Sequence, residues 1–199
     1  MTLPLLTRKP HRDAPAQALV GDLRLPLARV HEFCGPARRT LALIVARGMQ
    51  GPVFWIASHW QGDRLLGDGV QSYVDPGRIT FVHPKRTEDI LWATEECLRA
   101  GCVPLVVAEL HDPPPLTPVR RLHLAAEQGG KQGRLLPLGL LLTPGDGGAQ
   151  GVETRWHLSP RHQPGAPGWM LQRRRARMAP PAAWALDWTD GAPRLSAGV

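Results

Sequence analysis

The chain has 199 residues, 43% of them hydrophobic, which is enough for one domain with a single core. It carries 24 Lys and Arg against 17 Asp and Glu, a formal charge of +7, and an isoelectric point near 10.3. No apolar run reaches the length of a membrane-spanning helix, and the apolar patch at the N-terminus precedes its charges, the reverse of a secretory leader. These features point to a soluble cytoplasmic protein that does not enter a membrane. The basic balance favours nucleic acid or an acidic protein surface as partner, although abundant Arg, Pro, Gly and Ala also follow from a GC-rich genome.

Residues 1–22 combine proline and charge with little periodicity and are expected to form a flexible arm. Arg29 to Phe33 then reads as a short strand running into Cys34-Gly35-Pro36. From Ala37 to Gly48 the periodicity predicts a helix with Leu41, Ile44 and Val45 on one face. Val53 to Ala57 is a continuous apolar run suited to a parallel sheet covered on both sides. A loop rich in Gly and Asp follows, then a β-rich segment from Arg78 to His83.

Thr87 is the expected N-cap of a helix over 87–100, with Glu88 and Asp89 in its first turn and Gly101 closing it. Val103 to Leu110 is the most apolar strand. Thr117-Pro118 reads as an N-cap followed by a first-turn proline, with the helix ending at Gly129-Gly130. Leu138 to Leu142 is a further buried strand. This alternation over residues 23–150 predicts an α/β core with a mostly parallel sheet flanked by helices. Beyond residue 150 the alternation of Thr154, Trp156 and Leu158 with Arg155 and His157 predicts antiparallel strands. They extend the sheet over 151–190, with a loose tail over 191–199.

The three cysteines, Cys34, Cys97 and Cys102, lack the spacing of a disulfide framework or zinc site and read as buried thiols. No Ser-His-Asp set, His-Glu-x-x-His or Cys-x-x-Cys motif occurs, and the histidines are dispersed. Neither a catalytic residue nor a cofactor or metal is expected.

The segment VHEFCGPARRTLAL resembles the start of RecA-family ATPases, in which a strand, a glycine-proline turn, a phosphate loop and a helix follow one another. Gly35, Pro36 and Thr40 are in place. The loop is several residues short, however, and Arg38-Arg39 stands where Gly-Lys belongs. A phosphate loop needs small residues so that successive backbone N–H groups can wrap the anion. Two arginines in a shortened turn lose that wrap, although they keep their charge at a helix N-terminus. The acid that would hold a metal at the end of VPLVVAEL is displaced to Glu109.

Several further segments carry a resemblance to the ImuA family of RecA-like proteins. They are VFWIASHW, DILWATEECLRAG, VRRLHLAAEQGG and the late WMLQRRR before Pro180-Pro181, in that order. The resemblance spans residues 28–188 and implies a RecA-like fold. It further implies a non-catalytic accessory role in SOS-induced error-prone translesion synthesis, with ImuB and an error-prone polymerase as partners and RecA and DNA as further candidates. A degenerate DNA-dependent NTPase using Arg38 or Arg39, and a nonspecific DNA-binding module, are the alternatives. The expected contact residues are Arg173, Arg174, Arg175 and Arg177, with Arg173, Arg175 and Arg177 sharing a strand face, together with Arg120 and Arg121. Trp156, Trp169, Trp184 and Trp188 are expected to pack beneath the added strands; stacking on single-stranded bases is the alternative.

Overall fold

The apolar runs become strands buried on both faces. A computed structural model describes residues 15–58 and 65–196. It opens with an antiparallel hairpin, β1 (Ala16–Val20) and β2 (Leu23–Pro26), followed by β3 (Arg29–Cys34), α1 (Arg38–Arg47) and β4 (Val53–Ile56). A four-residue helix α2 (Gly67–Val70), β5 (Ile79–Val82), α3 (Glu88–Ala100), β6 (Leu105–Glu109), α4 (Leu116–Gln132) and β7 (Leu138–Leu142) come next. The chain closes with β8 (Thr154–Pro160), β9 (Gly168–Ala176), β10 (Ala182–Thr189) and β11 (Ala192–Ser196).

Nine strands form one sheet in the order β11-β10-β9-β8-β3-β7-β6-β4-β5. The six from β8 to β5 are parallel, and β9, β10 and β11 add antiparallel at the other edge. This is the expected mixed α/β architecture. Alternation along β6 divides the core: Leu105 and Val107 join the cluster under α1, while Val106 and Ala108 join the one under α3 and α4. Each aliphatic side chain so enclosed stabilises the fold by about 1.5–3 kcal/mol. Among the described residues no helix is long and apolar enough to cross a membrane.

Four local expectations are corrected. Residues 16–20 of the expected arm form β1, whose Leu19 and Val20 are buried in the core; residues 1–14 lie outside the described part. The tail expected to be loose pairs with β10 as far as Ser196. Its turn, Asp190-Gly191, has φ of 54° and 71°, the left-handed pair that a two-residue hairpin needs. Thr87 has helical φ and ψ and makes no side-chain cap, so the acidic first turn of α3 stands without one. Helix α4 starts one residue before Thr117, putting Pro118 in the first turn, where its missing N–H leaves no intrahelical bond unmade. It also runs through Gly129-Gly130 instead of stopping there.

The reason for that continuation is the packing of α4 on the end of α3. A Cβ at Gly129 would lie 2.0 Å from the Leu98 carbonyl oxygen, and one at Gly101 would lie 2.2 Å from the Gly129 oxygen. The glycines are retained for close backbone approach, and tertiary contact overrides their poor helix propensity.

On the other face, His31 ties three elements together. Its buried ring reaches the Pro26 carbonyl from Nε2 (3.0 Å) and the Thr154 hydroxyl from Nδ1 (2.7 Å), while the Trp156 indole donates to the same hydroxyl (2.8 Å). A carbonyl only accepts, so Nε2 carries the proton and the ring is neutral. Burial, opposed by the Pro26 bond, lowers its pKa to about 4.

Two outcomes follow. Gly129→Ala should destabilise the chain by about 1–3 kcal/mol in urea unfolding, because the backbone must move apart. Gly69→Ala, with open space around the new methyl, should not. His31 binds a proton more readily unfolded than folded, so its contribution is complete above about pH 6.5 and is lost as pH falls towards about 4. Urea midpoints across that window should fall by an amount worth about 3 kcal/mol, and His31→Gln should flatten the slope.

Candidate functional site

The turn between β3 and α1 is three residues long, Gly35-Pro36-Ala37. Gly35 has φ of 88°, and a Cβ there would sit 2.6 Å from the Leu158 carbonyl oxygen, so the chain crosses β8 at van der Waals contact. Its N–H donates to Gly145 O (2.9 Å), Ala37 N–H donates to Leu158 O (3.1 Å), and Pro36 has none. Arg38 folds back, with both its backbone N–H (3.3 Å) and its Nη1 (3.2 Å) donating to Gly35 O. No backbone donor of this turn is left to wrap an anion. Thr40 lies half-buried in the first turn of α1.

Arg39 is also committed. Its Nε lies 3.0 Å from both carboxylate oxygens of Glu109, and Nη2 donates to Oε2 at 2.8 Å. The Trp55 indole donates to Glu109 Oε1 at 2.6 Å. Glu109 is 4% exposed, so three elements (α1, β6 and β4) converge on one enclosed carboxylate. The arginine expected near a phosphate and the acid expected near a metal neutralise each other.

A second enclosed carboxylate lies across the sheet. Glu32 Oε1 accepts from the Thr143 hydroxyl (2.7 Å), Gly148 N–H (2.8 Å) and Ala149 N–H (3.0 Å), and Oε2 accepts from Arg155 Nε. Oε1 takes three of these bonds and Oε2 faces Arg155, so Glu32 is fully enclosed and pins the loop after β7. Sequence reading found no role for it; the residues that hold it are more than 100 positions away. Nearby, the Arg174 guanidinium lies 2.6 Å from Asp146 and holds that carboxyl below the usual range. The Cys34 thiol faces Trp156 O at 3.4 Å, and burial with the Glu32 charge pushes its pKa up to about 12. Cys34 is thus a buried, inert thiol as expected, whereas Cys97 is half-buried and Cys102 is exposed.

The arginine cluster does not present one charged face. A bulge sets Arg155 opposite Arg175 and Trp156 opposite Arg173, leaving Arg174 as the extra residue and turning Arg173 and Arg175 to opposite sides. Arg173 lies over the Trp156 and Trp184 rings (5.8 and 5.2 Å to centroid) and donates from Nε to Pro180 O. Arg175 is exposed. Arg177, beyond the end of β9, has Nε 3.5 Å from Glu153 Oε2. Arg121 pairs with Glu95 of α3 (2.8 Å), while Arg120 points along a cleft on the other side of α4. The tryptophans are packing residues: Trp156 and Trp169 are buried, and Trp184 and Trp188 lie against the same cluster.

No family model matches the chain, and no curated protein matches it.

Arg39→Ala would strand the enclosed Glu109 charge and should cost about 3–5 kcal/mol in urea unfolding. The pair Arg39→Met with Glu109→Gln removes both charges yet keeps an acceptor for Trp55, and should cost less than Arg39→Ala alone. A double-mutant cycle reads the difference directly.

Proposed function

We propose that this protein is a RecA-like, non-catalytic accessory factor of error-prone translesion synthesis, acting by docking to ImuB and the polymerase it serves. The single observation that carries the non-catalytic half is the Arg39–Glu109 pair, sealed by Trp55. Phosphoryl transfer depends on cations and a metal arranged around a free triphosphate. Here the cation and the acid offered by the turn and by β6 satisfy one another, and the turn's N–H groups are bonded within the protein. A nucleotide would have to break that enclosed pair before it gained any contact.

The docking half is supported by the ordered ImuA-like segments, by a mostly parallel sheet with helices on both faces, and by the antiparallel strands that carry the late arginines. The alternative of an NTPase using Arg39 in place of the lysine is disfavoured by the same bidentate pairing. Base stacking is disfavoured by the burial of Trp156 and Trp169 and by the packing of the half-buried Trp184 and Trp188 against the core.

Copurification of the full chain with ImuB, with RecA and with single-stranded DNA tests this reading. Retention by ImuB, together with no ATP turnover in the presence or absence of DNA, is the expected result. Failure to retain any polymerase partner overturns it, as does ATP hydrolysis that disappears in Glu109→Gln.

A further inference from the structure

Segments far apart in the sequence meet in a cleft of about 380 Å³ beside α4. One wall is a stripe of that helix, Leu116, Arg120, Leu124 and Glu127, whose spacing of three or four residues keeps them on one side. The facing wall brings together Arg29 at the start of β3, Arg177 beyond β9 and Gly151 from the loop before β8. A Cβ at Gly151 would lie 2.6 Å from Leu116 Cδ1, and φ there is 82°, so bare backbone keeps the cleft open at this point.

The charges on the two walls are spent unequally. Arg29 pairs with Glu127 and lies 3.7 Å from Glu153. Arg177 approaches Glu153 only at 3.5 Å, and Oε2 of that carboxylate makes no hydrogen bond. Arg120 is exposed and forms no ion pair or hydrogen bond among the described residues. The His123 ring lines the cleft but is tied to Val30 N–H (3.3 Å) and Gly151 O (3.1 Å), so it adds no donor. Three arginines against two carboxylates leave one net positive charge, with unspent guanidinium donors on opposite walls. Between them lies Leu124, 64% exposed, on an otherwise polar surface of α4.

We propose that this cleft docks an acidic peptide segment of a partner protein, with Arg120 and Arg177 clamping its carboxylates and the exposed Leu124 packing against a leucine- or phenylalanine-sized side chain. Guanidinium forks match carboxylates in two-point geometry, and an apolar anchor inside a charged rim is the usual anatomy of a peptide groove. A nucleic-acid backbone fits less well. The exposed Leu124 offers nothing to a phosphate or a sugar. The proposal rests on the docking reading above only for which protein supplies the peptide.

Fluorescence anisotropy of the full chain with a short fluorescein-labelled peptide alternating aspartate and leucine tests it. Saturable binding is expected, weaker for the same peptide with serine in place of leucine and for a labelled oligothymidylate. Arg120→Glu combined with Arg177→Glu should weaken it about tenfold or more, and Leu124→Ser should weaken it measurably. Arg86→Glu, at an exposed position before α3 and outside the cleft, should leave it unchanged. All these side chains are at the surface, so thermal melts should match the parent and report that the fold is kept. Absence of saturable binding, an equal loss in Arg86→Glu, or preference for the oligothymidylate overturns the proposal. If the peptide binds and the cleft variants still copurify with ImuB, the cleft is not the docking site and the reading above stands. Peptide binding in the cleft without any polymerase partner sinks that reading alone.

Discussion

Arg39 and Glu109 reach each other because β3 hands the chain to α1 in three residues, while β6 ends two strands away in the same parallel sheet. A parallel sheet delivers the C-terminal ends of its strands to one edge, and that edge is where open α/β sheets bind their ligands. Among the described residues it carries an enclosed carboxylate, a guanidinium and an indole N–H bonded to one another. Removing charge from water is costly, and a buried pair recovers that cost only through close geometry and further hydrogen bonds. The pair has both. The shortness of the turn, the burial of Trp55 and the internal bonding of the turn's N–H groups are therefore linked features of one local arrangement.

The second enclosed carboxylate shows the same economy of charge on the opposite face. Glu32 sits on the parallel strand β3, where a side chain cannot escape to water, and its oxygens are met by a hydroxyl, two backbone N–H groups and Arg155. Arg155 comes from β8, the strand that joins the parallel core to the antiparallel extension. Glu32 thus couples the two halves of the sheet through charge as well as through backbone pairing. Gly147 is required beside it, since a Cβ there would fall 2.7 Å from Glu32 Oε1.

Much of the fold was legible in the sequence, because apolar runs and helical periodicity depend on neighbours along the chain. The strands at Val53, Leu105 and Leu138 and the antiparallel extension all follow from that grammar. What was illegible depended on contacts across space. Helix α4 passes through Gly129-Gly130 because the end of α3 lies against it, and nothing local announces that contact. The Asp190-Gly191 turn was a readable hairpin signal, but the short strand after it is stabilised mainly by β10. The site was half legible. The absence of Gly-Lys after Pro36 was plain in the sequence, whereas the capture of Arg39 by Glu109 needed the register of two strands and the rotation of a helix. The arginine run was misread for a definite reason: strand alternation assumes no bulge, and one lies at Arg155/Trp156.

Counting which charges are already answered separates structural arginines from functional ones better than counting arginines does. Arg39, Arg155 and Arg174 each meet a carboxylate, and Arg173 meets two indole rings; their positive charge is used inside the protein. Arg120 and Arg177 differ, one without a partner among the described residues and the other with a loose one, and both line the cleft beside α4. The two sites lie on opposite faces of the sheet, since α1 covers one and α4 the other. Net charge of +7 therefore says less about a ligand than the setting of each guanidinium group.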